Sequence, residues 1–140
     1  MPQSIVEIQK EIIEEFTLLA DDREETLFYL MELGEKMPPL DESLKTDEFI
    51  VEGCQSRVWL VPRQHDGVMN FMADSNSAIT KGLVSLLVRI FDEQKAEDIL
   101  EAELFFIDKI GMNRFIGTQR SNGFASMIKQ IKIHALVANQ

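Results

Sequence analysis

The sequence predicts an α+β fold in which a small three-stranded antiparallel sheet packs with about five to six helices. Three observations carry this. Apolar residues recur at spacings of three and four over residues 5–31, β-forming runs and a hairpin-turn signal occupy residues 49–73, and a nearly all-apolar helical stretch follows at residues 79–91. No repeat, low-complexity segment or linker interrupts the 140 residues, so one domain over 1–140 is expected.

The elements follow in order. Ser4 and Glu7 form a capping box ahead of Ile5, Ile8, Ile12, Phe16 and Leu19, which trace one face of a helix. Asp22 and Glu25 repeat the pattern before Leu27, Leu30 and Met31, and Gly34 stands where a left-handed cap residue would end this second helix. Pro38 and Pro39 then open a loop running to about Asp47. Phe49 to Val51, Val58 to Val61 and Val68 to Ala73 read as three strands of an antiparallel meander, with Cys54 at the first connection and Asp66-Gly67 at the second. Pro62 lacks an N–H, so its side of the strand is expected to be unpaired or near the strand's end.

Asp74, Ser75, Asn76 and Ser77 offer four N-caps for the apolar helix carrying Ile79, Leu83, Leu86, Leu87 and Ile90. Gly82 inside that helix costs about 1 kcal/mol relative to Ala, which close backbone approach to a neighbour would offset. Short helices around Glu97–Leu100 and Leu104–Ile110, the latter ended by Gly111, precede a last helix from about Ser121 to Ala138.

Composition narrows the function. Twenty-four acids against 14 bases give a net charge of −10, and residues 1–52 hold 15 acids and 4 bases, a net of −11. The acidity therefore belongs to the first third, as a solvated face or as a means of steering toward a basic partner. Phosphates would be repelled, which argues against nucleic-acid binding. One cysteine excludes an internal disulfide, and one Cys with two His cannot supply four zinc ligands, so no metal is expected. Cysteine usage, with no basic-then-apolar leader and no apolar run near 18 residues, leads us to expect a cytoplasmic protein with no membrane association.

Chemistry concentrates in Glu52-Gly53-Cys54-Gln55-Ser56-Arg57. A lone Cys is commonly a small buried hydrophobe. Here, however, Gly53 permits a tight turn before the thiol and polar residues follow it, which puts the sulfur at a loop between strands. Arg57 would favour the thiolate if it lay close. A Cys-His pairing with His65 or His134 is conceivable, though neither has an evident orienting partner in the sequence.

The run Val51-Glu52-Gly53-Cys54-Gln55-Ser56-Arg57-Val58-Trp59-Leu60 is one of three motifs that occur in this order. The others are Ala73-Asp74-Ser75 with Ile79 to Leu83, and Arg120-Ser121-Asn122-Gly123 with Met127. Together they resemble the SufE/CsdE family of sulfur-acceptor proteins over essentially the whole chain. The resemblance implies a SufE/NifU-like fold. It also implies a carrier that accepts persulfide sulfur on Cys54 from a cysteine desulfurase, stimulates that enzyme and relays sulfur to an iron–sulfur scaffold. No resident cofactor is implied, since pyridoxal phosphate belongs to the desulfurase and the persulfide is transient. Gly53, Gln55, Ser56, Arg57, Asp74 and Arg120 are the expected supporting or partner-contacting residues, with Asp74 also readable as a helix N-cap. Asn76, Phe115 and Gly117-Thr118 depart from the family pattern, in which Asp, His and Ser-Pro are common. The alternative is an iron–sulfur scaffold of related fold, which a single Cys per chain disfavours.

Overall fold

The computed structural model describes residues 3–140. Helices α1 (Ile5–Thr17) and α2 (Arg23–Lys36) precede a hairpin of β1 (Val58–His65) and β2 (Val68–Ser75). Then come α3 (Ala78–Phe91), a two-residue β3 (Gln94–Lys95), α4 (Ala96–Glu101), α5 (Phe106–Ile110) and α6 (Met112–Ala138). The sheet is antiparallel in the order β1-β2-β3, so the predicted α+β class with a three-stranded sheet holds.

Local chemistry sets the helix starts. The Ser4 hydroxyl accepts from Glu7 N–H, and the Glu7 carboxylate accepts from Ser4 N–H, both at 3.1 Å, which closes the predicted capping box. Asp22 accepts from Glu25 N–H at 3.0 Å and caps α2. At the hairpin, Asp66 (φ 52°) and Gly67 (φ 79°) both take positive φ, as a two-residue turn of this hand requires. Pro62 sits opposite Phe71 in β1, whose other side is the sheet's edge.

Three sheet and helix expectations are corrected. Phe49 to Val51 does not form a strand. Asp47–Phe49 is a turn of 3-10 helix, and only the bridge from Ile50 to Trp59 and a bond from Val51 N–H to Val58 O (2.9 Å) tie the segment to β1. Its apolar side chains are used differently: Phe49 and Ile50 pack with Leu44 over Leu40, Trp59 and Val61 on one face of β1, while Val58 and Leu60 enter the main core on the other. The third strand is β3, too short and polar to register as a periodic pattern. Its Gln94 pairs with Met69 and its Lys95 with Val68.

Gly34 does not terminate α2, which runs on to Lys36. Gly34 instead faces Gly82 of α3. A Cβ on Gly34 would lie 2.8 Å from Gly82 N, and one on Gly82 would overlap the Leu30 carbonyl. The two glycines thus let α2 and α3 touch through their backbones, which is the compensation expected for a glycine inside an apolar helix.

The main core gathers Ile8 and Ile12 of α1, Leu30 of α2, Phe71 of β2, Leu83 and Leu87 of α3, and Phe124 and Ile131 of α6. One charged cluster clamps its edge: Arg89 reaches Glu15 at 2.9 Å, and Tyr29 donates to the same carboxylate at 2.6 Å. The last helix starts earlier than Ser121, at Met112, and is broken at Gly117 (φ 82°, ψ 168°). Among the described residues no helix is long and apolar enough to cross a membrane. Gly82→Ala should cost about 1–3 kcal/mol through overpacking against α2. Urea denaturation checks this, and an unchanged midpoint would show that the α2–α3 contact can relax.

Candidate functional site

The Gly53 φ of +91° turns the chain just before Cys54, and a side chain there would strike the Ser126 hydroxyl. Glycine at this position therefore serves both the turn and the contact with α6. The loop consequently lies flat on α6, and the Cys54 thiol donates to the Gly123 carbonyl at 3.4 Å. Gly123 is buried with the sulfur against it, within ordinary contact of where a Cβ would stand. The thiol is half-buried, and burial pushes its pKa up.

Cys54 opens onto a pocket of about 450 Å³ whose wall includes Gln55 and Ser56 from its own loop and Arg120 from α6. The guanidinium of Arg120 also donates to Ile116 O at 3.4 Å, across the break at Gly117. Four of the expected site residues are thereby brought together: Cys54, Gln55, Ser56 and Arg120.

Asp74 and Arg57 sit elsewhere. Asp74 is buried between Lys45 and Lys81, each at 3.3 Å, and accepts from Ser75 N–H at 2.8 Å. Burial alone would raise its carboxyl, but the Ser75 N–H and the two lysines outweigh that and hold it below the ordinary range. It does not cap α3, whose N-cap is Ser77. The reason is register: Asp74 still pairs with Trp59 inside the sheet, three residues before the helix turn begins. Arg57 is exposed, and its backbone is fixed by Asn76 and Ser75, whose side chains meet its N–H at 3.0 Å and its carbonyl at 2.8 Å.

Neither histidine joins the thiol. His65 pairs with Asp66 at the exposed hairpin tip at 3.1 Å, and His134 lies beside Gln130 at 3.2 Å on α6, its pKa lowered by burial.

The structure adds pocket residues that the sequence reading missed. Arg23 lines it from the first turn of α2, Ser77 and Thr80 from the start of α3, and Thr118 and Gln119 from the segment of α6 that restarts after Gly117. Residues from the beginnings of three helical segments therefore line the pocket onto which the thiol opens. With two guanidiniums and no carboxylate in its wall, the pocket is cationic in a chain of net charge −10. One signal for Arg23 was available, since it is the single base in the run Asp21-Asp22-Arg23-Glu24-Glu25.

Chemically, the arrangement suits a sulfur that is kept protonated and shielded at rest and acquires negative charge during reaction. Alkylation of Cys54 by iodoacetamide should be slower than that of an unstructured peptide thiol. Because burial raises the thiol pKa, its rate should climb with pH to a midpoint above the ordinary thiol value of about 8.5. A midpoint at or below that value would contradict the burial seen here.

Comparison with known proteins shows the family of the chain. The family described as "SufE: Fe-S metabolism associated domain" matches residues 10–135. An uncharacterised SufE-like protein of Rhizobium etli is 38% identical over 132 residues, spanning 91% of this chain and 88% of that protein. A second, from Rhizobium meliloti, is 36% identical over 130 residues, or 89% and 92% of the two chains. Among solved structures, a hypothetical protein from Thermus thermophilus shares the fold with a TM-score of 0.75 at 19% identity, over 94% of this chain and 95% of that one. With a match across most of its length and its one thiol seated in a cationic pocket, the chain belongs to the SufE family, whose domain is associated with Fe–S metabolism.

Proposed function

We propose that the protein is a sulfur acceptor that takes persulfide sulfur from a cysteine desulfurase onto Cys54, stimulates that enzyme and relays the sulfur to an iron–sulfur scaffold. The observation that carries this reading is the single thiol opening onto a pocket lined by two arginines and no acid. In the loading step the Cys54 thiolate attacks the outer sulfur of the donor's persulfide. A new S–S bond forms at Cys54, the donor's S–S bond breaks, and the donor thiolate leaves with the electron pair. The exchange is redox-neutral and needs one acceptor thiol, which is what the chain holds.

Arg120 has two tasks in this account. It favours the anionic persulfide, and through its bond to Ile116 O it steadies the chain on either side of Gly117. Gln55 and Ser56 supply polar atoms to the pocket wall that Cys54 shares. Arg57, exposed at the loop's far end, is placed to meet a partner, whereas Asp74 braces Lys45 and Lys81 beside the start of β1. The protein would act in the cytoplasm and carry no cofactor of its own.

Incubation with desulfurase and cysteine should add one sulfur atom to the wild-type mass and none to Cys54→Ser. If the variant still gained the increment, Cys54 would not be the acceptor. Arg120→Ala should slow loading by about tenfold or more, the worth of one charge-assisted hydrogen bond, with partial recovery in Arg120→Lys. Loading at the wild-type rate would remove the arginine from the chemistry.

A further inference from the structure

Phe28 is the one aromatic side chain left largely in water among the described residues, at 63% exposure. It does not stand alone. With Leu27 and Met31 of α2 and Ile79 of α3 it lines a second hollow of about 350 Å³, almost wholly apolar except for Glu24 at its edge. Soluble proteins seldom leave such a groove uncovered unless something binds there.

Its position ties it to the thiol. Arg23 lines the Cys54 pocket and Glu24 lines the groove; Thr80 lines the pocket and Ile79 the groove. The two hollows thus occupy neighbouring stripes of the same helix pair, held rigidly together by the Gly34–Gly82 contact. A protein bringing a reactive sulfur to Cys54 would extend over this ridge.

Charge narrows the occupant further. Glu24, Phe28, Met31 and Glu35 fall at i, i+4, i+7 and i+11, one stripe of α2, so exposed acids bracket the apolar centre at both ends. A second copy of this chain, docked about a two-fold axis, would set these acids against each other. A partner with an apolar knob between basic residues would complement them.

We propose that the Leu27-Phe28-Met31-Ile79 groove is the docking surface for the sulfur-donating desulfurase, which presents there an apolar side chain flanked by lysine or arginine. This rests on the sulfur-acceptor reading. The groove supplies affinity and register, and the Cys54 pocket supplies the chemistry, so the two are separable.

Loading of Cys54 measured against acceptor concentration, using the cysteine desulfurases of the source organism in turn, tests the proposal. Phe28→Ser should raise the half-saturating concentration about tenfold or more, as loss of a central aromatic anchor does, with full persulfide formation at saturation. Glu24→Lys combined with Glu35→Lys should raise it as well and flatten its dependence on salt. Inorganic polysulfide should load Cys54 equally in every variant, showing the pocket intact. Wild-type titration curves for both variants would overturn the proposal. So would sedimentation showing a wild-type dimer that Phe28→Ser dissociates, since the groove would then serve self-association. A wild-type chain loaded by polysulfide but by no desulfurase would instead overturn the sulfur-acceptor reading, and the docking proposal with it.

Discussion

The seating of the Cys54 loop on α6 is the contact from which the rest of the site follows. It needs a positive φ and no side chain at Gly53, because Ser126 occupies the space, and it sets the sulfur against the backbone of Gly123. The reward is a thiol whose proton is engaged by a carbonyl at 3.4 Å and whose pKa is raised by burial. A resting nucleophile of this kind reacts slowly with small oxidants and alkylators, because the attacking species is the thiolate. Reaction then depends on what else enters the pocket.

What enters meets positive charge. The chain is acidic overall, yet its acids avoid the pocket and cluster on the first third, while Arg23, Arg120 and residues from three helix beginnings line the pocket that the thiol shares. The two distributions act at different ranges. In the sulfur-acceptor reading, acids spread over α1 and α2 would shape the approach of a partner within about a Debye length of 8–10 Å, whereas the guanidiniums would act on an anionic sulfur once water has been excluded. A persulfide anion formed at Cys54 would be held by the second effect and delivered under the guidance of the first.

Much of this was legible in the sequence, for physical reasons that also mark where legibility ended. The Ser4–Glu7 capping box, the Asp22 cap, the Asp66-Gly67 turn and the apolar helix are local signals, and each appears where its residues placed it. Cys54, Gln55, Ser56 and Arg120 were named together from motifs and meet at one pocket. The failures are tertiary. Phe49 and Ile50 have strand-like chemistry but are spent covering Trp59 and Val61, an outcome that depends on β1 being buried on both faces. Gly34 looked like a stop because its partner Gly82 is 48 positions away. Asp74 has the residue type of a helix cap, but sheet register holds it three residues before the Ser77 cap and its charge pairs with Lys45 and Lys81. Arg23 carries no motif at all and reaches the thiol's pocket only through the packing of α2 on α3.

The central claim is that one shielded thiol in a cationic pocket accepts a partner's sulfur and so speeds that partner's turnover. The most direct test is alanine release by the cysteine desulfurase at saturating cysteine, without the protein, with it, and with Cys54→Ser. The account predicts a rise in turnover with the wild type that Cys54→Ser abolishes. Equal turnover in all three, or equal stimulation by the variant, would contradict it.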